Sequence, residues 1–177
     1  FTKIARTPNP KRMLRSYNQS AATLNLLRAF TTGGFADLNK IHIWNQEFVK
    51  QSPQGKRYGK IANQIDEALT FMRSIGISAQ NNSALKLTEF FTSHEALLLG
   101  YEHALTRQDS LTKKWYTCSG HFLWIGDRTR QPDGAHVEFL SGIENPIGIK
   151  VGPTITEEEL LKLVEKLNPD NKWGRLT

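Results

Sequence analysis

A chain of 177 residues is long enough for one domain with a core of its own and short for two. An apolar fraction of 38% beside 23% charged residues excludes a disordered chain, and no apolar run approaches the roughly 20 residues that cross a bilayer. The formal charge of +6 is spread along helices rather than gathered in one basic block, and no zinc-finger, helix-turn-helix or aromatic RNA-binding pattern accompanies it, so a nucleic-acid partner is excluded. Cys118 is the only cysteine, which rules out an internal disulfide and points to the reducing cytoplasm. The first residue, Phe1, has neither a methionine nor a charged-then-apolar leader before it, and an upstream segment is expected.

Asn9-Pro10 reads as an N-cap followed by proline at the first helical position, and Leu14, Tyr17, Ala21, Leu24 and Leu27 recur at helical steps until Gly33-Gly34. Leu38, Ile41, Trp44 and Phe48 predict a second helix that stops before Ser52-Pro53. Tyr58, Ile61, Ile65, Leu69 and Met72 predict a third that ends near Gly76. Residues 1–80 are therefore mainly helical and amphipathic, with Trp44 and Trp115 assigned to core or interface rather than to ligand stacking.

The pattern changes at Leu85. Leu85 to Thr92 alternates and predicts a strand that ends at Ser93-His94-Glu95, followed by a helix from Ala96 to Thr106. Trp115 to Ile125 predicts a second strand, Asp133 to Ile143 a helix, and Ile147 to Val151 a short strand buried on both faces. Thr156-Glu-Glu-Glu159 is a capping box opening a helix with Leu160, Val164 and Leu167 on its apolar face, closed by Asn168-Pro169. Gly174 to Thr177 begins a fourth strand. Strands alternating with helices across 85–177 imply an α/β protein with a parallel sheet, and we favour part of a (β/α)8 barrel carrying additional N-terminal helices over a doubly wound sheet. A whole barrel needs about 250 residues, so this is one partial domain.

In such a barrel the reacting groups sit at the carboxyl ends of the strands. Glu95, Asp127, Arg128 and Lys150 fall at three successive ends, where a guanidinium and an ammonium suit a small dianion such as a phosphorylated acid. Lys150, between Ile149 and Val151 in an apolar strand, must point somewhere polar, and the mouth supplies that place. Arg130 is open between a phosphate contact and a structural ion pair. Of the pair His94-Glu95 only one faces the site, because neighbouring strand residues point to opposite faces, and Glu95 is the choice for acid/base work. His42, His103, His121 and His136 lack metal-ligand spacing, and Cys118, in mid-strand, reads as a small buried hydrophobe. No phosphate-binding loop, dinucleotide fingerprint or nucleophile elbow is present.

Trp-Ile-Gly-Asp-Arg-Thr-Arg-Gln at 124–131, Asp133-Gly-Ala-His136, and Asn-Pro-Ile-Gly-Ile-Lys-Val-Gly-Pro at 145–153 resemble the type II 3-deoxy-D-arabino-heptulosonate 7-phosphate synthases. The stretch from Arg15 to Phe30, Ser93-His-Glu-Ala-Leu97 and Asn168-Pro-Asp-Asn-Lys172 ending in Gly174-Arg-Leu-Thr177 are similar to that family too, in the family's order. The resemblance implies a (β/α)8 barrel that condenses phosphoenolpyruvate with erythrose 4-phosphate at the head of the shikimate pathway, in the cytoplasm, or in a plastid if the source is a plant. It implies phosphoenolpyruvate contacts at Asp127, Arg128 and Lys150, with Trp124 beside them. Asp127 departs from the family, which commonly has Glu before this Arg. The resemblance further implies a divalent metal, manganese or cobalt, whose Cys, His, Glu and Asp ligands are not in this sequence, together with a homo-oligomer and an aromatic amino-acid effector acting through the added helices. The segment alone is then inactive. Two rival readings of the same residues are a Schiff-base aldolase with Lys150 as nucleophile and a non-catalytic phosphoenolpyruvate-binding or regulatory module.

Overall fold

The computed structural model describes residues 2–35 and 37–177, which form two compact units, Phe1–Glu89 and Phe90–Thr177. The first is helical: α1 (Lys3–Arg6), α2 (Pro10–Thr32), α3 (Leu38–Gln51) and α4 (Gly55–Ser74), then a single 3-10 turn at Ser83–Leu85. The Asn9 side chain accepts the Lys11 amide and Pro10 opens α2, as its sequence requires. The left-handed Gly34 (φ +76°) ends it, with Phe35 N–H donating back to the Phe30 carbonyl. Helices α3 and α4 pack as a hairpin pinned by His42 Nε2 to Asp66 Oδ1 at 3.2 Å. Any side chain at Gly55 would overlap the Val49 carbonyl, so the tight join between them requires glycine.

The second unit holds β1 (Ser93–Glu95), α5 (Leu99–Ala104), β2 (Thr106–Gln108), β3 (Trp115–Thr117), β4 (Phe122–Ile125), a 3-10 turn at Asp127–Thr129, α6 (Ala135–Ser141), β5 (Ile147–Ile149) and α7 (Glu157–Leu167). Strands β1, β4 and β5 form a parallel sheet in the order β1-β4-β5, with His94 opposite Leu123, Leu123 opposite Ile147, Glu95 opposite Trp124, and Trp124 opposite Gly148. Leu176 adds a parallel bridge beside Ile147, the fourth strand just beginning. Leu123, Ile125 and Ile147 are buried with Val137 and Leu140 of α6 and Leu163 and Leu167 of α7, so one face of the sheet is the floor of the core. Period-2 alternation puts Glu95, Trp124 and Gly148 on the opposite face.

Three of the predicted strands are redrawn. Leu85 to Thr92 alternates in sequence, yet among the described residues no strand offers it a ladder; the three residues after it pair, and Thr92 is instead held by His121. Trp115 to Ile125 is two strands. Residues 118–121 break it, so that β3 turns back on β2 as an antiparallel hairpin while β4 enters the parallel sheet. Cys118, just past β3, is consequently exposed rather than buried. The strand expected over Ile147 to Val151 stops at Ile149, and the helices expected over Ala96 to Thr106 and Asp133 to Ile143 shorten to α5 and α6. Trp44 and Trp115 are about half exposed, 45% and 49%, so neither belongs to a core.

Candidate anion site at the strand ends

Two strands of the parallel sheet, β1 and β4, end by seating a carboxylate on the backbone of the next. At the end of β1, Glu95 Oε1 lies against Gly126, where any Cβ would overlap it. Past β4, Asp127 lies against Gly152, where a Cβ would stand 2.5 Å from Oδ1 and 2.9 Å from Oδ2, and the Gly152 amide donates to Oδ1 at 3.1 Å. Two glycines thus let three strand ends close on one another. A third, Gly148, leaves room for the Phe122 ring, whose Cζ would meet a Cβ at 2.8 Å. The buried Asn145 secures the start of β5: its side chain accepts the Thr117 amide at 2.9 Å and donates to the Thr117 and Gly120 carbonyls.

On this rim Arg128 occupies the middle of the 3-10 turn and Lys150 the first position after β5, its amide still donating to the Ile125 carbonyl at 2.9 Å. Both side chains are exposed, and among the described residues neither forms an ion pair. Arg130 is different. It is buried, with Nε donating to Asp127 Oδ1 at 2.9 Å, Nη1 paired with Glu159 Oε1 at 2.6 Å and Nη2 3.4 Å from Thr154 Oγ1. Of the two readings open for it, the geometry matches the ion pair. The Asp127 carboxyl is held below its ordinary range, first by the Arg130 hydrogen bond, with that guanidinium's charge, the Gly152 amide and the Lys150 charge adding to it. Its side chain faces protein partners, Arg130 and the Gly152 amide.

Trp124 presents a further donor. Its indole Nε1 is buried and, among the described residues, has no hydrogen-bond acceptor. His94, on the helix side of the sheet, turns the other way and bonds Glu102 Oε1 through Nε2 at 2.7 Å. Glu102 is 1% exposed and also accepts from Ser119 Oγ and, more weakly, from Thr117 Oγ1 at 3.4 Å. Burial would raise its pKa, but the hydrogen bonds from His94 and Ser119 outweigh burial and hold the carboxyl below its ordinary value.

Sequence reasoning missed Glu102, Gly152, Thr154 and the role of Glu159. Glu159 was legible only as half of a capping box. Thr156 does accept the Glu159 amide at 3.2 Å, but the Glu159 carboxylate goes to Arg130 instead of returning to the cap. A concavity of about 620 Å³ among α5, the hairpin and α6 shares no residue with the rim, and Arg107, its one guanidinium, is tied to the Ala104 and Thr106 carbonyls.

Parallel strands joined through helices, with Arg128 and Lys150 exposed at adjoining carboxyl ends, define an α/β protein. Comparison with known proteins narrows that class: the class-II DAHP synthetase family matches residues 1–177, and the chain belongs to that family. It is 58% identical over 177 residues to a phospho-2-dehydro-3-deoxyheptonate aldolase of Streptomyces coelicolor, covering all of this chain and 39% of that one. It is 48% identical over 178 residues to phospho-2-dehydro-3-deoxyheptonate aldolase AroG of Mycolicibacterium smegmatis, covering 98% of this chain and 38% of that one. The chain thus spans about two fifths of the length of these relatives. The family implies a divalent metal, yet among the described residues no three His, Cys, Asp or Glu side chains gather to hold one, and Cys118 stands exposed on the hairpin. These residues do not fit a metal centre. Among the described residues, no helix is long and apolar enough to cross a membrane.

Proposed function

We propose that this segment is the phosphoenolpyruvate-gripping part of a 3-deoxy-7-phosphoheptulonate synthase, a transferase at the first step of the shikimate pathway. The enzyme condenses phosphoenolpyruvate with D-erythrose 4-phosphate and water, giving the seven-carbon sugar acid phosphate and inorganic phosphate. The methylene carbon of phosphoenolpyruvate bonds to the aldehyde carbon, water enters at the enol carbon, and the phosphate leaves. The observation that carries this reading is the pair of exposed cations without ion-pair partners, Arg128 and Lys150, on adjoining strand ends of a chain that matches the family throughout. Arg128 takes the ligand's phosphate or carboxylate as a fork and Lys150 adds a point charge. The Asp127 amide and the Trp124 indole N–H are the further donors, and Glu95 is the acid/base on the same face of the sheet.

In this reading 1–177 is one partial domain, with 1–80 as helices added for assembly and for control by an aromatic amino acid, and 85–177 as successive βα units of a (β/α)8 barrel. The open three-stranded parallel sheet supports that architecture. The whole protein acts as a homo-oligomer in the cytoplasm, and both relatives named above are bacterial, which gives a plastid no support. Its metal is manganese or cobalt, held by ligands outside this sequence. The Schiff-base alternative loses ground because the Lys150 side chain is exposed, where a Schiff-base lysine is activated by desolvation.

The test is phosphate release by the full natural chain, supplied with divalent metal. Release that requires both substrates, and that Arg128→Ala and Lys150→Ala reduce at least a hundredfold, is the expected result. Binding of phosphoenolpyruvate without turnover would favour the regulatory module, and a borohydride-trapped adduct at Lys150 the aldolase.

A further inference from the structure

Arg130 lies two residues beyond Arg128 in the same Asp-Arg-Thr-Arg run, but its guanidinium, with a side chain only 7% exposed, is wholly engaged by the protein. Nε holds Asp127 in the turn after β4, Nη1 holds Glu159 in the first turn of α7, and Nη2 reaches Thr154 in the loop between β5 and α7. Asp127 in turn accepts the Gly152 amide, two residues past Lys150. One cation therefore ties the loop that carries Arg128 to the loop that carries Lys150.

We propose that Arg130 is a positioning residue for the phosphoenolpyruvate grip: it fixes the spacing of Arg128 and Lys150 and compensates the Asp127 carboxylate, so that Lys150 meets the ligand rather than Asp127. The inference rests on the function proposed above. Its physical basis is competition. Asp127 stands near enough to Lys150 for the two charges to interact, and a lysine paired with a neighbouring carboxylate binds a dianion less well than one left free. With Arg130 in place, Asp127 has a closer partner, and its Oδ1 accepts from both Nε and the Gly152 amide. Without Arg130 the carboxylate keeps its charge with Lys150 nearby, and the loop after β4 loses its tie to α7.

Phosphoenolpyruvate affinity and steady-state kinetics of the full natural chain, metal supplied, test this with four variants. Arg130→Gln is expected to raise the KM for phosphoenolpyruvate about tenfold with kcat within about twofold, the sign of lost uniform binding. Arg130→Lys, which keeps the charge and loses the fork, should recover part of the affinity. Asp127→Asn/Arg130→Gln should recover most of it, because Asn keeps an oxygen for the Gly152 amide without the competing charge. Glu159→Gln, which loosens one end of the guanidinium, should raise KM about two- to threefold and answers the question if Arg130→Gln does not fold. An unchanged KM in Arg130→Gln, or in Glu159→Gln should that be the folded variant, overturns the inference. So does a double variant no better than Arg130→Gln alone. If Arg128→Ala still abolishes binding in those cases, the functional reading survives. A folded wild-type chain that does not bind phosphoenolpyruvate sinks both.

Discussion

The two units of this chain bury their apolar residues in opposite ways. In α2, a 23-residue helix, no residue is buried, and Leu14, Tyr17, Leu27 and Phe30 are exposed along a regular apolar stripe. In the second unit strands of three or four residues and two short helices enclose Leu123, Val137, Leu140, Ile147 and Leu163 completely. The lesson is that periodicity measures what a segment can bury, not what it buries inside this chain. A helix satisfies its own backbone and can stand with its stripe open, whereas a three-residue strand exists only through its neighbours.

Four expected outcomes put that contrast at risk. The largest is Leu123→Ala, which removes a fully buried side chain from the middle of the sheet and should cost about 2–5 kcal/mol in denaturant unfolding of the chain; a loss below about 1 kcal/mol would mean the second unit is packed no better than the first. Next is Gly152→Ala. The new methyl must displace the Asp127 carboxylate, so phosphoenolpyruvate affinity of the full natural chain should fall several-fold while far-ultraviolet dichroism stays unchanged. Third is acid. Because the Glu102 carboxyl has a lower pKa folded than unfolded, its contribution is complete above the ordinary glutamate range and is lost as pH falls through the depressed folded value. Unfolding midpoints measured across that range should therefore fall with pH, and Glu102→Gln should flatten the slope. The smallest is Leu14→Ala on α2, expected to shift stability by no more than about 0.5 kcal/mol because the side chain is already 65% exposed.

What the sequence revealed follows the same division. Caps and helical stripes are local, so Asn9-Pro10 and Thr156 placed the starts of α2 and α7 within a residue. The rim was legible because strand order alone brings the segments ending at Glu95, Asp127 and Lys150 to one edge of a parallel sheet. Partnerships through space were not. Glu102 meets Ser119 only because β3 folds back on β2, and nothing in the unbroken apolar look of Trp115 to Ile125 announced that reversal. Arg130 stayed ambiguous for the same reason: its partners lie 3, 24 and 29 residues away, on three different segments. Asp127 belongs to the same set of partnerships, its Oδ1 shared between Arg130 and the Gly152 amide.

Arg128 and Lys150 are proposed to act together on one anion. A double-mutant cycle on phosphoenolpyruvate binding to the full natural chain, by calorimetric titration of wild type, Arg128→Ala, Lys150→Ala and the double variant, tests it most directly. Each single change should weaken binding at least tenfold, and the double variant should fall short of the product of the two. Unchanged affinity in either single variant, or strictly additive losses, would contradict a shared site.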